Sequence, residues 1–363
     1  MNKIVIVQPE IPKYRLAFFN NISNYDCSEL KVYYSKGNLG ELTNSVSENW
    51  ASRIGILINF NVGISWQQGA IGIKLNRDDI LVLSGNPRVI STLILLFRAK
   101  LLKVKVIWWG HYWSSTSKKW RQSLRLLPMI LANALLFYTD VEAEAMRNRK
   151  LWCFKNKNIS ALNNGLDVTT INKFKFPYES ASRNKECLFI GRLTEKSKIT
   201  DLIYALSYIN DKNIVVNVIG EGNDRGKLEI LAKHLNVDKN FIWHGAVTDE
   251  SKIANIANRC RLFVYPGSVG LSLIHAFAYG LPAILHNNIT CHMPEVSAFE
   301  HNYNGHSFEY NDVASLAKTL NETINDDIKL NLLSKGTHVV GDSYTTDDMA
   351  IRFKELVKVM SER

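Results

Sequence analysis

Residues Tyr265 to Pro282 read YPGSVGLSLIHAFAYGLP and continue a short apolar run that begins at Leu262. The apolar run predicts a buried β-strand, PGSVG predicts a turn, and LSLIHAFAYG predicts a helix that ends at the Leu-Pro pair. Glycines in the turn let the backbone approach a ligand closely, and the free N–H groups at the start of a helix attract an anion. The segment therefore predicts a diphosphate site, with a structural turn and a buried His275 as the alternative. The candidate ligand-binding residues of the turn are Gly267, Ser268, Val269, Gly270 and Leu271.

On both sides of this segment, strand-like runs alternate with segments of helical period. This alternation is what a parallel, doubly wound sheet requires. A polar stretch at 173–184 interrupts it and is the predicted linker. We therefore predict an α/β protein with two Rossmann-like doubly wound domains, 1–176 and 177–345, and a C-terminal amphipathic helix, 346–363, that packs back on the first domain. The predicted strands are 4–7, 30–34, 80–83, 104–109, 135–138 and 159–162 in the first domain and 187–190, 214–219, 241–243, 262–265 and 283–285 in the second.

Length and composition agree with a folded protein of two domains. The chain has 363 residues, of which 46% are hydrophobic and 21% charged, and this disfavours disordered and fibrous classes. Its five cysteines form no CxxC pair, so neither a disulfide framework nor a structural zinc site is expected, and the cytosol is the simplest compartment. The first apolar run is too short for a signal peptide, and the longest, at 126–138, is too short to span a bilayer.

Positive charge is concentrated in the first half of the chain. Residues 1–176 contain 24 Lys and Arg against 11 Asp and Glu, whereas residues 177–363 contain 20 against 23. We therefore expect the first domain to contact an anionic membrane surface, with a solvated basic face as the alternative and no nucleic acid as a partner. Aromatic residues beside the basic clusters predict an interfacial surface, with an aromatic core as the alternative. The clusters are Arg98, Lys100, Lys103 and Lys105, then Lys118, Lys119, Arg121 and Arg125, then Arg147, Arg149 and Lys150; the aromatic residues are Trp108, Trp109, Tyr112, Trp113 and Trp120.

Three further cations follow the predicted strand at 187–190. Arg192, Lys196 and Lys198 come just after the strand end, which is the ligand-binding position of an open sheet. Cations there suit a diphosphate, because preorganised positive charge stabilises an oxyanion as it leaves. An exposed, lysine-rich loop is the alternative.

The segment GEGNDRG at 220–226 superficially resembles a dinucleotide-binding turn. Its spacing is GxGxxxG rather than GxGxxG, and the next strand ends in WHG without the acidic residue that would bind a ribose. The segment therefore indicates a tight turn into a helix more than a nicotinamide site.

Taken together, these segments resemble the glycosyltransferases of family 4, which have the GT-B fold, and the resemblance covers nearly the whole chain. It implies two domains with a cleft between them and a retaining, metal-independent transfer of a sugar from a UDP- or GDP-linked donor, without a cofactor. The sequence contains no DxD motif, in agreement with this. The matching pieces are IGRLTEK, VIGEGND with FIWHGAV, YPGSVGLSLIHAFAYGLPAI, MPE at 293–295, NGHSF at 304–308, VIWWGH at 106–111 and LNNGLD at 162–167.

The resemblance also implies roles for individual residues. Arg192 and one of Lys196 and Lys198 would hold the donor diphosphate, and the spacing leaves the choice between the two lysines open. His111 would lie near the acceptor and the transferred sugar, with a structural histidine as the alternative. Glu295, in MPE, would be a donor-binding residue.

The chain departs from the family pattern in the donor site and at its N-terminus. Where the family has two glutamates eight positions apart, for the donor sugar and the nucleotide ribose, this chain has Gly267 and His275. His275 can still hydrogen-bond a ribose hydroxyl, whereas Gly267 offers only its backbone. Tyr14 and Arg15 stand where the family often has a glycine-rich loop, and they are candidates to contact a phosphate or the acceptor, with a structural helix start as the alternative.

These observations predict a cytoplasmic glycosyltransferase, peripheral at the inner face of the cell membrane. It is expected to elongate a lipid-linked saccharide during the synthesis of a surface polysaccharide, such as O-antigen, capsule or exopolysaccharide. One alternative is a catalytically idle GT-B scaffold that binds a partner, because the two glutamates are missing. The others are a nucleotide-sugar epimerase on the same fold and, based on GEGNDRG, a dinucleotide oxidoreductase.

Overall fold

The computed structural model describes residues 2–24, 28–36, 46–61, 63–112 and 119–362, with the side chains of 2, 28, 36 and 119–124 outside the description. The chain forms two compact units, one made of Met1–Asn164 and Thr346–Arg363 and the other of Gly165–Thr345. The second unit begins at Gly165, before the domain boundary predicted after residue 176, because the segment that follows Gly165 packs with the second unit. Ile171 belongs to that unit's core, and the Phe176 N–H donates to Asn258 Oδ1 at 3.0 Å.

The first unit is built on an eight-stranded sheet in the order β4-β3-β2-β1-β5-β6-β7-β8. All neighbouring strands are parallel except β3 and β4. The central strands are apolar along their length because helices cover both faces, as parallel sheets require. The strands are β1 Asn2–Val7, β2 Ser28–Lys36, β3 Ala51–Asn59, β4 Ser65–Gln67, β5 Ile80–Ser84, β6 Lys105–Trp109, β7 Ala134–Phe137 and β8 Asn158–Ala161.

Five helices of this unit position its loops. The last of them is formed by the C-terminal end of the chain, and its apolar side packs on α1 and on the sheet of this unit. The Phe353 and Phe18 rings meet edge to face, with their centroids 5.8 Å apart. Arg352 also binds both carboxylate oxygens of Asp140 at 3.0 Å. The helices are α1 Leu16–Ser23, α2 Ile90–Leu101, α3 Lys119–Leu131, α4 Asp140–Asn148 and α12 Thr346–Glu362.

The two tryptophans of β6 belong to the core of the first unit. Trp108 and Trp109 are each about 1% exposed, one on either face of the sheet. The predicted interfacial surface is therefore wrong for these two residues, and the alternative of an aromatic core holds. Tyr112 is half-buried and packs edge to face on Phe137. Trp113, Lys118 and the side chains of Lys119, Trp120 and Arg121 lie outside the described residues.

The second unit is built on a six-stranded, fully parallel sheet in the order β11-β10-β9-β12-β13-β14. Its core is formed by the apolar strands and by the inner faces of the helices that connect them. The strands are β9 Glu186–Ile190, β10 Val215–Ile219, β11 Phe241–Gly245, β12 Leu262–Tyr265, β13 Ala283–His286 and β14 Gly305–Phe308; the helices are α5 Thr169–Phe174, α6 Ile199–Tyr208, α7 Arg225–His234, α8 Glu250–Ala257, α9 Leu271–Ala278, α10 Val313–Ile324 and α11 Asp327–Gly341.

Candidate functional site

The second unit has its topological switch point between β9 and β12. β9 pairs with β10 on one side and with β12 on the other, so the chain leaves these two neighbouring strands in opposite directions. In open α/β sheets, ligands bind in the crevice outside the carboxyl ends of the strands at such a point. The loops at this crevice are 191–198 and 266–270, and they contain most of the predicted donor-binding residues.

These two loops are in direct backbone contact at Gly267. The Ser268 N–H donates to the Lys196 carbonyl oxygen at 3.0 Å. A Cβ atom at position 267 would lie 2.0 Å from that oxygen and 2.6 Å from the carbonyl carbon of Ser197. Because both neighbours are backbone atoms, this arrangement requires glycine at 267 and excludes a glutamate.

Two of the three glycines in the GEGNDRG segment have a similar packing explanation. Gly220 has a φ of 149°, and a Cβ there would lie 1.8 Å from the Gly191 carbonyl oxygen. A Cβ at Gly222 would lie 2.1 Å from the Leu193 carbonyl oxygen. The turn after β10 therefore packs on the loop after β9, and Gly220 and Gly222 are explained without a bound dinucleotide.

Three cations lie in the loop after β9, and their surroundings differ. Arg192 and Lys196 are exposed, and neither donates a side-chain hydrogen bond nor forms an ion pair within the described part of the chain. Lys198 is less exposed: its ammonium lies 4.4 Å from the centre of the Tyr310 ring and 3.8 Å from Asp201 Oδ2, and it also donates to Asn311 Oδ1. Lys198 is therefore fixed in position, whereas no hydrogen bond or ion pair with the described residues fixes the other two side chains.

The helix α9 begins directly after the glycine turn. Gly270 precedes it and has no side chain that could cap the first N–H groups, so this helix start can accept an anion. Val269 contributes little to a ligand, because its side chain is buried and its backbone N–H and C=O bind His292 and Met293. Leu271 is half-buried at the start of the helix.

The His275 side chain on α9 is hydrogen-bonded to Glu250, the first residue of α8. Its Nε2 donates to Glu250 Oε1 at 2.8 Å, and the Tyr279 hydroxyl donates to the same oxygen at 2.6 Å. Burial opposes ionisation of Glu250, but the hydrogen bond and electrostatic interaction with His275, together with the hydrogen bond from Tyr279, outweigh it, so the pKa of this carboxyl lies below its ordinary value. The histidine predicted to bind ribose thus belongs to a cluster whose charged member is Glu250.

The loop after β13 is attached to the glycine turn through His292. Its Nδ1 accepts from the Val269 N–H at 3.2 Å, and its Nε2–H donates to the His286 carbonyl oxygen at 3.0 Å. The His286 and His292 rings are stacked with centroids 3.7 Å apart. Glu295 is buried close to the start of α9, since a Cβ at Gly270 would lie 3.7 Å from Glu295 Oε2. The predicted donor residues of this loop and of the glycine turn therefore lie side by side.

Buried histidines make the stability of the second unit sensitive to acid. Burial, assisted by His292 and Lys198, lowers the pKa of His286 from 6.5 to about 3, and burial lowers that of His306 to about 4, assisted by Lys329. In the unfolded chain these histidines take up a proton near pH 6.5, whereas in the folded chain they stay neutral. The stability that they contribute is therefore fully present above pH 6.5, and the free energy of unfolding decreases as the pH falls below it. At pH 5 each of the two histidines should lower the free energy of unfolding by about 2 kcal/mol.

Urea unfolding at pH 7.5 and pH 5.0 measures this loss. In the variant His306→Phe the difference between the two pH values should shrink by about 2 kcal/mol, because one titrating group is gone. Equal differences in the variant and the original protein would contradict the assignment of this loss to His306.

In the first unit, Arg15 is buried at the carboxyl edge of the sheet. Its Nη1 donates to Gln8 Oε1 at 3.0 Å, and its guanidinium carbon lies 4.6 Å from the centre of the Trp109 ring and 5.4 Å from that of Tyr138. Tyr14, beside it, is 38% exposed. Of the two predicted contacts, Tyr14 is thus open to solvent, whereas Arg15 is enclosed by aromatic rings.

His111 packs against the same tyrosine, Tyr138. Its ring centre is 4.2 Å from that of Tyr138, and its Nδ1 is 3.5 Å from Glu142 Oε1. Glu142 is fully buried and accepts from the Tyr112 N–H at 3.0 Å and the Tyr138 N–H at 3.2 Å. The structure therefore brings Arg15 and His111 together around Tyr138, with a buried carboxylate behind the histidine.

Two carboxylates of these sites escaped prediction. Glu142 follows Thr139 in the pattern TDVE, the signature of a helix start, and the Thr139 hydroxyl oxygen does accept from the Glu142 N–H. Its link to His111 depends on long-range folding. Glu250, in TDES, lies 25 positions from its partner His275, and no sequence signal joins the two.

None of the described helices is long and apolar enough to cross a membrane. Within the same residues, no group of three or more His, Cys, Asp or Glu side chains is arranged to hold a metal ion.

Comparison with known proteins relates both the second unit and the whole chain to glycosyltransferases. Residues 170–338 match the family model "Glycosyl transferases group 1". An uncharacterized glycosyltransferase of Haemophilus influenzae is 22% identical over 288 residues, covering 78% of this chain and 77% of the relative. The lipopolysaccharide 1,6-galactosyltransferase of Escherichia coli K12 is 22% identical over 188 residues, covering 47% of this chain and 50% of the relative.

Among solved structures, the complex of Anabaena Alr3699/HepE with UDP has a TM-score of 0.70 to this protein. The two are 13% identical, with 99% of this chain and 100% of the other covered, so this likeness shows the fold. The predicted fold class is thereby confirmed: the protein has the α/β two-domain GT-B fold, and the residues that match the group 1 glycosyltransferase model lie in its second unit.

Proposed function

We propose that this protein transfers a sugar from a nucleotide-sugar donor to a saccharide acceptor, with retention of configuration and without a metal ion. The observation that carries the proposal is the site at the β9–β12 switch point. There, the uncapped start of α9 and the cations of the loop after β9 come together within residues that match the group 1 glycosyltransferase model. Such a site suits a diphosphate.

In the proposed reaction, the second unit binds the donor. An acceptor hydroxyl oxygen forms the new bond to the anomeric carbon, on the face from which the diphosphate departs, and the bond from that carbon to the phosphate oxygen breaks. The hydroxyl proton passes to the departing diphosphate. Arg192 and Lys198 would stabilise the negative charge that develops on this group, which is usually the largest catalytic contribution.

Lys198 is the better candidate of the two lysines. It is held in one place by Asp201, Asn311 and the Tyr310 ring. The same ring lies 4.7 Å from that of His286, the last residue of β13, so Lys198 lies near the start of the loop that carries the predicted donor residues. Lys196 is exposed, and its role in the site is that of its carbonyl oxygen, which accepts from Ser268. Preorganised charge is more effective than mobile charge.

The first unit would bind the acceptor around Tyr138. His111 would hydrogen-bond an acceptor hydroxyl, and the buried Glu142 would orient the imidazole from behind. Tyr14 is exposed beside this group and would contact the acceptor directly, whereas Arg15 would support the aromatic rings. We propose a lipid-linked saccharide of a surface polysaccharide as the acceptor, supported by the similarity to a lipopolysaccharide galactosyltransferase.

A panel of nucleotide sugars tests the donor proposal. UDP-galactose is the first candidate, since a relative of similar fold was solved with UDP and another is a galactosyltransferase. UDP-glucose, GDP-mannose and the free diphosphates complete the panel, and a shift in melting temperature is the measurement. If none stabilises the protein, the proposed donor site is refuted.

Activity assays with a donor that stabilises the protein separate the proposal from an idle scaffold and an epimerase. The scaffold is favoured by one observation, the exclusion of any side chain at Gly267. Transfer to an acceptor extract, or hydrolysis of a stabilising donor above background, would rule out the scaffold. Conversion of the donor to its epimer with no acceptor present would indicate the epimerase instead.

We further propose that the first unit binds the membrane surface peripherally. Phe97 and Leu101, one helical turn apart on α2, are 59% and 70% exposed, and Trp152 is 88% exposed. Trp152 lines a cavity of about 470 Å³ together with Lys100, Lys105 and Lys157. Apolar side chains beside lysines match the interface of an acidic bilayer.

The double variant Phe97→Ser/Leu101→Ser should bind vesicles that contain an acidic phospholipid about tenfold more weakly, because it removes apolar area from the proposed surface. Cosedimentation with such vesicles, and with neutral ones, is the measurement. Tyr208→Ser/Ile230→Ser is the matched control, since these second-unit residues are similarly exposed. Equal binding by the two double variants would refute the proposed surface.

A further inference from the structure

The Glu250 carboxylate has one oxygen that the protein uses and one that it leaves open. Oε1 accepts from His275 and Tyr279, as described, whereas Oε2 accepts no hydrogen bond from the described residues. About a fifth of the side chain is exposed to solvent. The carboxylate is therefore held rigidly by one oxygen while the other is free to accept hydrogen bonds from a ligand.

Glu250 also lies at the edge of the sheet where a ligand is expected. It is the first residue of α8, which follows the carboxyl end of β11 after a loop of four residues, 246–249. His275, to which it is bonded, lies one helical turn after Leu271, the first residue of α9. One turn of helix is about 5.4 Å, so the histidine that holds the carboxylate begins about one turn from the N–H groups that suit a phosphate.

This separation fits a nucleotide better than a lone phosphate. In a nucleoside diphosphate the ribose is joined directly to the first phosphate, so the group that recognises its hydroxyls has to lie within about a turn of the phosphate-binding helix start. An acidic side chain at the carboxyl edge of an open α/β sheet is well suited to accept hydrogen bonds from ribose hydroxyls. A neutral imidazole in the same place offers at most one acceptor for a ribose hydroxyl. The Nε2 atom of His275 is already used in its hydrogen bond to Glu250.

We propose that Glu250 binds the ribose hydroxyls of the nucleotide donor through Oε2, and that His275 and Tyr279 are positioning residues that hold the carboxylate. The carboxylate that recognises the ribose thus comes from α8 instead of α9. This inference rests on the proposed function, because it assumes a nucleotide donor, and it assigns the recognition of that donor to a residue outside the glycine turn.

The role of Glu250 in anchoring α9 could alone explain its hydrogen bonds, so the test needs a readout that an anchor would not move. That readout is the preference for a ribonucleotide over its 2′-deoxy form. Titration calorimetry with UDP, 2′-deoxy-UDP, GDP and 2′-deoxy-GDP measures it. The original protein should bind one ribonucleotide about tenfold more tightly than its deoxy form, since the latter leaves a charged acceptor unpaired.

In the variant Glu250→Ala this preference should disappear, with the affinity for the ribonucleotide falling to that for the deoxy form. Tyr279→Phe removes one of the two hydrogen bonds that hold the carboxylate and should reduce the preference in part. Glu322→Ala, which changes an exposed glutamate of α10, is the matched control and should keep the preference. If the alanine variant does not fold, Glu250→Gln has the same shape and lacks the charge, and its preference should fall by several-fold.

The outcomes separate the inference from the proposed function. If neither UDP nor GDP binds the original protein, the proposed function fails, and the inference fails with it. If a nucleotide binds but the Glu250 variants weaken both of its forms equally, Glu250 is an anchor, and the inference alone is overturned. An unchanged preference in those variants overturns it as well.

Discussion

Replacement of Gly267 by alanine is expected to destabilise the protein by about 3 kcal/mol or more, because one added methyl group has no room. Its carbon would lie 2.0 Å from the Lys196 carbonyl oxygen, and both neighbouring groups are backbone. The loops after β9 and β12 would have to separate, which would break the hydrogen bond from Ser268 to Lys196. Urea unfolding of the variant measures the loss, and binding of a nucleotide diphosphate should disappear with it.

Gly226→Ala is the matched control for this prediction. Gly226 lies inside α7, and a Cβ there meets nothing within 4 Å. Alanine is the better helix former by about 1 kcal/mol, so this variant should be slightly more stable than the original protein. A glutamate at 267 should be as harmful as alanine. If Gly267→Glu folded normally and transferred sugar faster, the packing explanation for this glycine would be wrong.

Removal of the Arg192 side chain is expected to lower the rate of sugar transfer about 100-fold to 1000-fold, the usual effect of deleting one group that stabilises a developing oxyanion. The guanidinium is exposed at the crevice and forms no ion pair within the described part of the chain. Arg192→Ala should therefore leave stability nearly unchanged. The transfer rate with a stabilising donor and the unfolding curve are measured on the same preparation.

The two lysines of the same loop supply the comparison for Arg192. Lys198→Ala should approach the loss seen for Arg192, whereas Lys196→Ala should stay within about fivefold of the original rate, as is typical for an exposed charge. All three variants remove one positive charge from one loop, so net charge is matched. Full activity of Arg192→Ala would refute its role, and a larger loss for Lys196 than for Lys198 would reverse the assignment.

Most strands of both sheets could be predicted from the sequence because they are buried on both faces and therefore rich in apolar, β-branched residues. The strands β3 and β4 could not. β3 is mostly exposed or half-buried along its length, and Gly55 within it has a φ of 36°, so neither alternation nor an apolar run marks it. β14 is a short strand, GHSF, with only one large apolar residue.

The site was predictable where chemistry follows directly from neighbours in the sequence. The glycine turn and the start of α9 are one continuous segment, so the segment YPGSVGLSL was enough to predict the turn, the helix start and the diphosphate site that we propose there. The environment of Lys198 depends on Tyr310 and Asn311, which lie more than a hundred residues away, so spacing could not separate it from Lys196. The burial of Trp108 and Trp109 depends likewise on helices that cover both faces of β6.

The return of α12 to the first unit has a practical consequence for dissecting the protein. The second unit is an insertion: the chain enters it after Asn164 and leaves it before Thr346, and the Leu166 N–H donates to the Tyr344 carbonyl oxygen at 3.0 Å. Entry and exit are thus adjacent, as in domains that tolerate excision. The second unit can be expressed as one uninterrupted segment. The first unit cannot be obtained by truncation and requires a new link that joins residue 164 to residue 346.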